Sequence, residues 1–308
     1  MRVLFWGTPA FAVPALRALG EEGHEIVAVV TQPDKPSGRG LSTGMSAVKE
    51  AAISEMIPVL QPANPYGDDF AASVRELEPD LSVVVAYGQI LKPQVLALPL
   101  LGSVNIHASL LPELRGAAPI HWAVINGHSE TGVTIMQMEA GLDSGPMLFQ
   151  VREEIRADES TSELSVRLAE IGAEAMVEAL ALMEAGEITA TAQDHSRATY
   201  APKLDRYVAR LDWTLPAIEV ARWIRGLDSV PGAWSELRGE PVKFFAPRVE
   251  LHSGLPGEVL EAREGVGVLI AAGREAVRVR EVQPAGKRRM EADEWIRGRG
   301  VKVGDLFA

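Results

Sequence analysis

Cysteine is missing from all 308 residues, which excludes disulfides and thiolate metal sites and fits a reducing, cytoplasmic setting. Long apolar runs are missing too: none approaches the roughly 20 residues that a membrane-spanning helix needs, so no membrane partner is expected. Arg2-Val3-Leu4-Phe5-Trp6 already reads as a strand, and a signal or transit segment is not expected. Six histidines are scattered without HxH or HxxxH spacing, so no metal is expected. Cations are in short supply, with 30 Lys and Arg against 42 Asp and Glu and a net charge of −12. That balance disfavours tight, indiscriminate binding to nucleic acid.

The deficit is uneven. Residues 1–208 hold 14 cations and 27 carboxylates, a net −13, whereas residues 209–308 hold 16 and 15, a net +1. The last third can therefore still carry a local phosphate-binding patch. Apolar residues make up 47% and charged residues 23%, an ordinary globular mixture, and the length allows two domains with separate cores.

A complete dinucleotide fingerprint is also lacking. Gly7-Thr8-Pro9-Ala10-Phe11 follows the first strand, where G-x-G-x-x-G would stand, but only the first glycine is present and Pro9 takes the third position. The pyrophosphate cradle is incomplete, which argues against an NAD oxidoreductase. The segment reads instead as a strand-to-helix turn, with Thr8 as N-cap and Pro9 at the first helical position.

What is present first is alternation. Strand patterns at 3–6, 25–30, 59–60, 81–86 and 103–106 are interleaved with helical ones at 11–19, 45–55 and 68–77. This predicts an α/β fold, a mainly parallel sheet with helices on both faces. Residues 131–138 and 147–155 read as a strand pair. Residues 164–183 read as an amphipathic helix with Leu164, Leu168, Ile171 and Ala175 on one stripe. These elements assign 1–186 to a first domain and 187–206, without apolar periodicity, to a linker. In 207–308, a helix at 215–227 precedes five short strands at 233–237, 242–251, 257–261, 266–271 and 276–282. That spacing fits a small β-barrel such as an OB-fold. Trp213, Trp223 and Trp234 read as packing residues rather than stacking platforms.

The chemistry concentrates in residues 105–147. Asn105-Ile106-His107 leads into Ser109-Leu110-Leu111-Pro112, then Arg115-Gly116-Ala117-Ala118-Pro119, and later Gly141-Leu142-Asp143-Ser144-Gly145. The period of two puts Asn105 and His107 on one side of a strand. An amide N–H can hold a developing oxyanion and an imidazole can move a proton. A carboxylate can fix the imidazole's tautomer and favour its charged form. Asn105, His107 and Asp143 are therefore the catalytic candidates, at the strand ends where open α/β sheets bind ligands.

The same stretch resembles the folate-dependent formyltransferases. SLLP followed by RGAAPI, TGVTIMQM and GLDSGPML carries the resemblance, and it extends almost end to end. Near the start it includes Phe5-Trp6-Gly7-Thr8-Pro9 and the run from Thr31 to Gly40; later it includes Tyr200-Ala201-Pro202-Lys203, Arg225-Gly226-Leu227-Asp228, Pro231-Gly232-Ala233-Trp234 and Gly286-Lys287-Arg288-Arg289-Met290. It implies a Rossmann-like catalytic domain followed by an OB-like tRNA-binding domain, in a monomer. It implies 10-formyltetrahydrofolate as formyl donor and the amino group of initiator methionyl-tRNA as acceptor, with the transfer serving translation initiation.

The resemblance implies residue roles as well. Ser109, Leu110, Leu111 and Pro112 would hold the folate, helped by Tyr87, Gly88 and Gln89, with Leu111-Pro112 as a cis peptide. Lys35, Arg39, Lys203, Lys287, Arg288 and Arg289 would contact tRNA. The loop after Arg39 departs from the pattern, because Leu41-Ser42-Thr43-Gly44 stands where relatives usually place lysines. Other readings use the same triad on a sugar nucleotide or on water. Ala117-Ala118 and Met136-Gln137-Met138 resemble the tRNA-acting branch instead. A glycinamide-ribonucleotide formyltransferase would leave the last hundred or so residues unexplained, and a non-catalytic nucleotide-binding or adaptor protein would not need the triad.

Overall fold

The structure, a computed structural model, describes residues 1–37 and 42–308, backbone only at 35–37, 42 and 43. In chain order the first elements are β1 Arg2–Gly7, α1 Val13–Glu21, β2 Glu25–Val30, β3 Lys35–Ser37, β4 Ser42–Gly44, α2 Ala47–Ser54, β5 Val59–Leu60 and α3 Asp68–Glu76. There follow β6 Leu81–Val85, α4 Pro93–Leu96, β7 Ser103–His107, α5 Pro119–Ile125, β8 Glu130–Gln137, β9 Met147–Glu154 and α6 Thr161–Ala185. The remainder is α7 Ala217–Gly226, β10 Trp234–Leu237, β11 Glu240–Glu250, β12 Val259–Arg263, β13 Gly267–Ala271, β14 Ala276–Pro284, β15 Met290–Glu291 and α8 Ala292–Arg297. Two compact units emerge, neither contiguous in sequence. The first comprises Met1–Pro119, Glu130–Glu154 and Ser165–Ala201, the second Ile120–Ser129, Ile155–Leu164 and Pro202–Ala308.

The first unit is built on a seven-stranded sheet in the order β5-β2-β1-β6-β7-β8-β9. The first five strands are mutually parallel, β8 runs antiparallel to them, and β9 is antiparallel to β8 and so points the same way as the first five. Leu81 to Val85 are all buried, as expected of parallel strands covered on both sides. From β1 the chain steps to β2 and β5, then reverses past β1 to β6 and β7. Val74 of α3 and Val95 and Leu96 of α4 share one core cluster with Leu4, Trp6, Ala28, Val30 and Val84 of the sheet, and α1 packs on α2. The mainly parallel, doubly covered sheet read from the alternation is present. The reversal also creates a topological switch between β1 and β6, where such sheets bind ligands.

Helix α6 begins at Thr161, ahead of the expected residue 164. Ser160 and Glu163 form a capping box there: the Ser160 N–H and hydroxyl donate to Glu163 Oε2 at 2.9 and 2.8 Å, and the Glu163 N–H donates back to Ser160 Oγ at 3.3 Å. Leu164, Leu168, Met176 and Leu180 are fully buried. One local expectation is corrected. Thr8 caps no helix: a short 3-10 turn, Ala10–Ala12, has Pro9 at its cap without any side-chain bond. The Thr8 hydroxyl instead donates to the Tyr87 carbonyl at 2.9 Å, because the end of β6 offers it a partner across the sheet.

The second unit holds an antiparallel sheet in the order β10-β11-β14-β13-β12, with β15 beside β14. Its edges are joined by the residues after α8. Leu306 bridges Glu258 just before β12, and Phe307 bridges Leu237 of β10. Main-chain bonds at 2.9 Å from Phe307 to Gly257 and 3.0 Å from Ala308 to Glu236 complete the closure. Phe307 also packs inward, its ring centroid 5.1 Å from Phe244 and 6.0 Å from Trp213. Trp213 is thus a core residue, as read from the sequence. Among the described residues, no helix is long and apolar enough to cross a membrane.

Candidate active site

Strand β7 places both polar candidates of the 105–107 run. Asn105 lies opposite Val84 of β6 and Met136 of β8, and His107 lies opposite Thr134. Asn105 is 9% exposed and His107 5%. Among the described residues the Asn105 side chain makes no hydrogen bond, and its amide is not one of the fully buried groups left without a partner, so it keeps access to solvent. Asp143 arrives from the loop joining β8 and β9, with φ at +47°, a left-handed conformation that aspartate tolerates better than most residues. Its Oδ2 sits 3.7 Å from His107 Nδ1 and accepts the Gly116 N–H at 2.8 Å. On the other side of the ring, His107 Nε2 donates to the Leu114 carbonyl at 3.0 Å. Both ring nitrogens therefore face acceptors. The three residues singled out in the sequence meet in the first unit.

A strap formed by residues 193–201 holds the segment that carries Leu114 and Gly116. The Leu114 N–H donates to Thr199 Oγ1 at 2.8 Å, the Arg115 N–H to the Thr199 carbonyl at 2.9 Å, and the Ala201 N–H to the Arg115 carbonyl at 2.8 Å. Arg115 and Gln193 are buried at 4% and 6% exposure. Sequence reasoning gave neither a role, since Gln193 lies in a stretch without periodicity and its partners are 50 and 78 residues away.

The Ser109–Pro112 loop is pinned from β8 and β9. Thr134 Oγ1 donates to the Ser109 carbonyl at 2.7 Å and accepts the Leu111 N–H at 3.1 Å. Gln150 Nε2 donates to the Leu111 carbonyl at 3.1 Å, and the Leu111-Pro112 bond is cis. With those groups engaged, Leu110, half-buried, is the loop's apolar offering. Gly132 beneath it is required: a Cβ there would run into the Val151 carbonyl and Leu110 Cδ2.

At the switch between β1 and β6, Tyr87 is buried, its ring 5.1 Å from Trp6 in an edge-to-face contact. Burial pushes its phenol up to about 12, and its hydroxyl has no hydrogen-bond partner among the described residues. Gln32, which the sequence did not single out, donates to the Tyr87 carbonyl at 3.3 Å and accepts from Gln89 Nε2 at 3.2 Å. Gly88 and Gln89 are exposed beside it.

The residues expected to touch tRNA are scattered. Arg39 lies outside the described residues, and of Lys35 only the backbone, in β3, is described. Lys203 and Lys287 are exposed. Arg288 is exposed and pairs with Glu294 at 2.7 Å. Arg289 is engaged within the fold: it pairs with Asp228 at 2.9 Å and Glu281 at 2.5 Å and lies 3.9 Å over the Phe245 ring.

Formyl transferase models match this chain in two stretches, the formyl transferase domain at residues 1–180 and the formyl transferase C-terminal domain at residues 203–300. The chain belongs to the formyl transferase family and is a one-carbon transferase. It is 42% identical over 310 residues to the methionyl-tRNA formyltransferase of Alkaliphilus oremlandii, covering 100% of this chain and 99% of that protein. It is 47% identical over 304 residues to the methionyl-tRNA formyltransferase of Ruegeria pomeroyi, covering 99% of each. Among solved structures, HypX from Aquifex aeolicus in complex with tetrahydrofolic acid shares the fold, with a TM-score of 0.69 at 22% identity. All of this chain is covered by that likeness, and it spans 50% of HypX.

Proposed function

We propose that the protein transfers the formyl group of 10-formyltetrahydrofolate to the amino group of initiator methionyl-tRNA. The observation that carries this reading is Asn105, its side chain without a hydrogen-bond partner among the described residues, on the same strand as His107, which has Asp143 3.7 Å away. The folate supplies the formyl group and leaves as an amine. Asn105 donates from its amide to the formyl oxygen as negative charge develops there. With Nε2 of His107 tied to Leu114, Nδ1 is the nitrogen that takes and returns a proton, and Asp143 orients it. The α-amino nucleophile titrates near about 7.7–8.0 before the ester lowers it, so no strong base is needed. Leu110 offers apolar surface to a flat pterin, with Gly88 and Gln89 exposed just beyond β6; the buried Tyr87 contributes its hydroxyl, which has no hydrogen-bond partner among the described residues. Residues 207–308 serve as the tRNA-binding domain, through Lys287 and Arg288 together with Lys203 from the linker. The reading is supported by full-length relatives that bear the name methionyl-tRNA formyltransferase.

The test incubates purified protein with 10-formyltetrahydrofolate and charged initiator methionyl-tRNA and scores formyl-methionine after ester hydrolysis. Formylation that disappears in Asn105→Ala supports both reaction and site. Formate release without formyl-methionine would replace the reading with hydrolysis.

A further inference from the structure

Asp143 reaches His107 from a loop, and loops alone do not hold a carboxylate to a fraction of an ångström. The Gln193 amide sits where it can. Arg115 donates from Nε at 3.0 Å and from Nη2 at 2.6 Å to Gln193 Oε1. That leaves no ambiguity about which end of the amide points away. Gln193 Nε2 then donates both its hydrogens to the loop, to the Asp143 carbonyl at 2.9 Å and the Gly145 carbonyl at 2.7 Å. Arg115 is itself fixed, since Nη2 also donates to His195 Nδ1 at 3.0 Å and its main chain is bound to the strap. Just before the strap, Thr191 pairs with Met147 by two 2.8 Å main-chain bonds, close past the loop.

We propose that Gln193, aimed by Arg115, is a positioning residue that sets the Asp143 carboxylate against His107. This rests on the triad reading of the proposed function. The same segment then grips both partners of the pair, His107 through Leu114 and Asp143 through Gly116 and Gln193. Only glutamine fits this role. A glutamate at 193 would keep the Arg115 bonds but would turn an acceptor toward two carbonyls. A methionine would fill the space and offer neither donor nor acceptor.

The experiment compares wild type, Gln193→Glu and Gln193→Met in formyl transfer and solves the crystal structure of Gln193→Met. A misplacement of about 1 Å costs on the order of 10² in rate, so kcat is expected to fall roughly tenfold to hundredfold, with KM for 10-formyltetrahydrofolate within about threefold. In the crystal, residues 141–145 are expected to shift and the Asp143–His107 separation to exceed 3.7 Å. A kcat within about threefold of wild type, or a loop that stays in place, overturns the proposal. If Gln193→Glu fails to fold, Gln193→Met decides. A wild type that does not formylate methionyl-tRNA counts against the proposed function alone, and the loop position in Gln193→Met still settles the part played by Gln193.

Discussion

An asparagine that is 9% exposed and whose amide bonds to none of the described residues is held ready for something outside the protein. Asn105 loses no internal bond when truncated, so Asn105→Ala should leave the melting temperature near that of wild type. The rate of formyl transfer should fall on the order of 10²–10³-fold, the usual loss for one oxyanion donor. Single-turnover kinetics beside thermal unfolding check the two halves of that expectation, and a rate within about threefold of wild type would remove Asn105 from the mechanism. Tyr87 poses the same question with a hydroxyl. An unsatisfied buried group costs about 1–3 kcal/mol, so Tyr87→Phe should unfold at the same temperature or higher when no ligand is present. If that hydroxyl serves the folate, added tetrahydrofolate should raise the melting temperature of Tyr87→Phe by less than it raises that of wild type.

At the scale of elements, α6 depends on its capping box. The Ser160 N–H and hydroxyl hold the Glu163 carboxyl below its ordinary 4.5. A depressed folded value means the contribution is complete above pH 4.5 and is lost as pH falls through that lower value. Ser160→Ala should cost about 1 kcal/mol at neutral pH, and its deficit against wild type should shrink as pH drops below 4.5. Denaturant melts at several pH values read this directly. The strands of the sheet were legible because β6 and β1 are buried on both sides and read as unbroken apolar runs. Helix α8, Ala292–Arg297, was not, since six residues leave little periodicity to read. That Asn105, His107 and Asp143 belong together was legible from the two-residue spacing on β7 taken with the motif that carries the family resemblance. Gln193 was not: its worth lies in bonds to residues 48, 50 and 78 positions away, and only the folded chain brings them together. Thr8 misled for the reverse reason, since a cap is a local inference and its true partner, Tyr87, lies just beyond another strand.

For the molecule as a whole, charge sets how tRNA is met. A chain at −12 with its excess in residues 1–208 repels a polyanion at long range, so binding must rest on a few local cations and fade quickly with salt. Lys287 is exposed, and Arg288 is paired with Glu294 at the surface. Lys287→Ala should raise KM for methionyl-tRNA, leave KM for 10-formyltetrahydrofolate unchanged, and reduce the slope of log KM against log salt by about 1. An unchanged slope would show that Lys287 meets no phosphate. The closure of the second unit has a consequence in time. Its two edge strands are joined by residues 306–308, so a chain still on the ribosome keeps both edges open until those residues emerge. Segments 120–129 and 155–164, made far earlier, belong to that unit and wait with it. The sheet bearing Asn105 and His107 has all its strands by residue 154 and its strap by 201. At about 5–20 residues per second, the interval between completing the strap and closing the barrel lasts roughly 5–20 s. During it, newborn protein carries a finished chemical half beside unpaired strand edges, the period in which a chaperone would matter most to it.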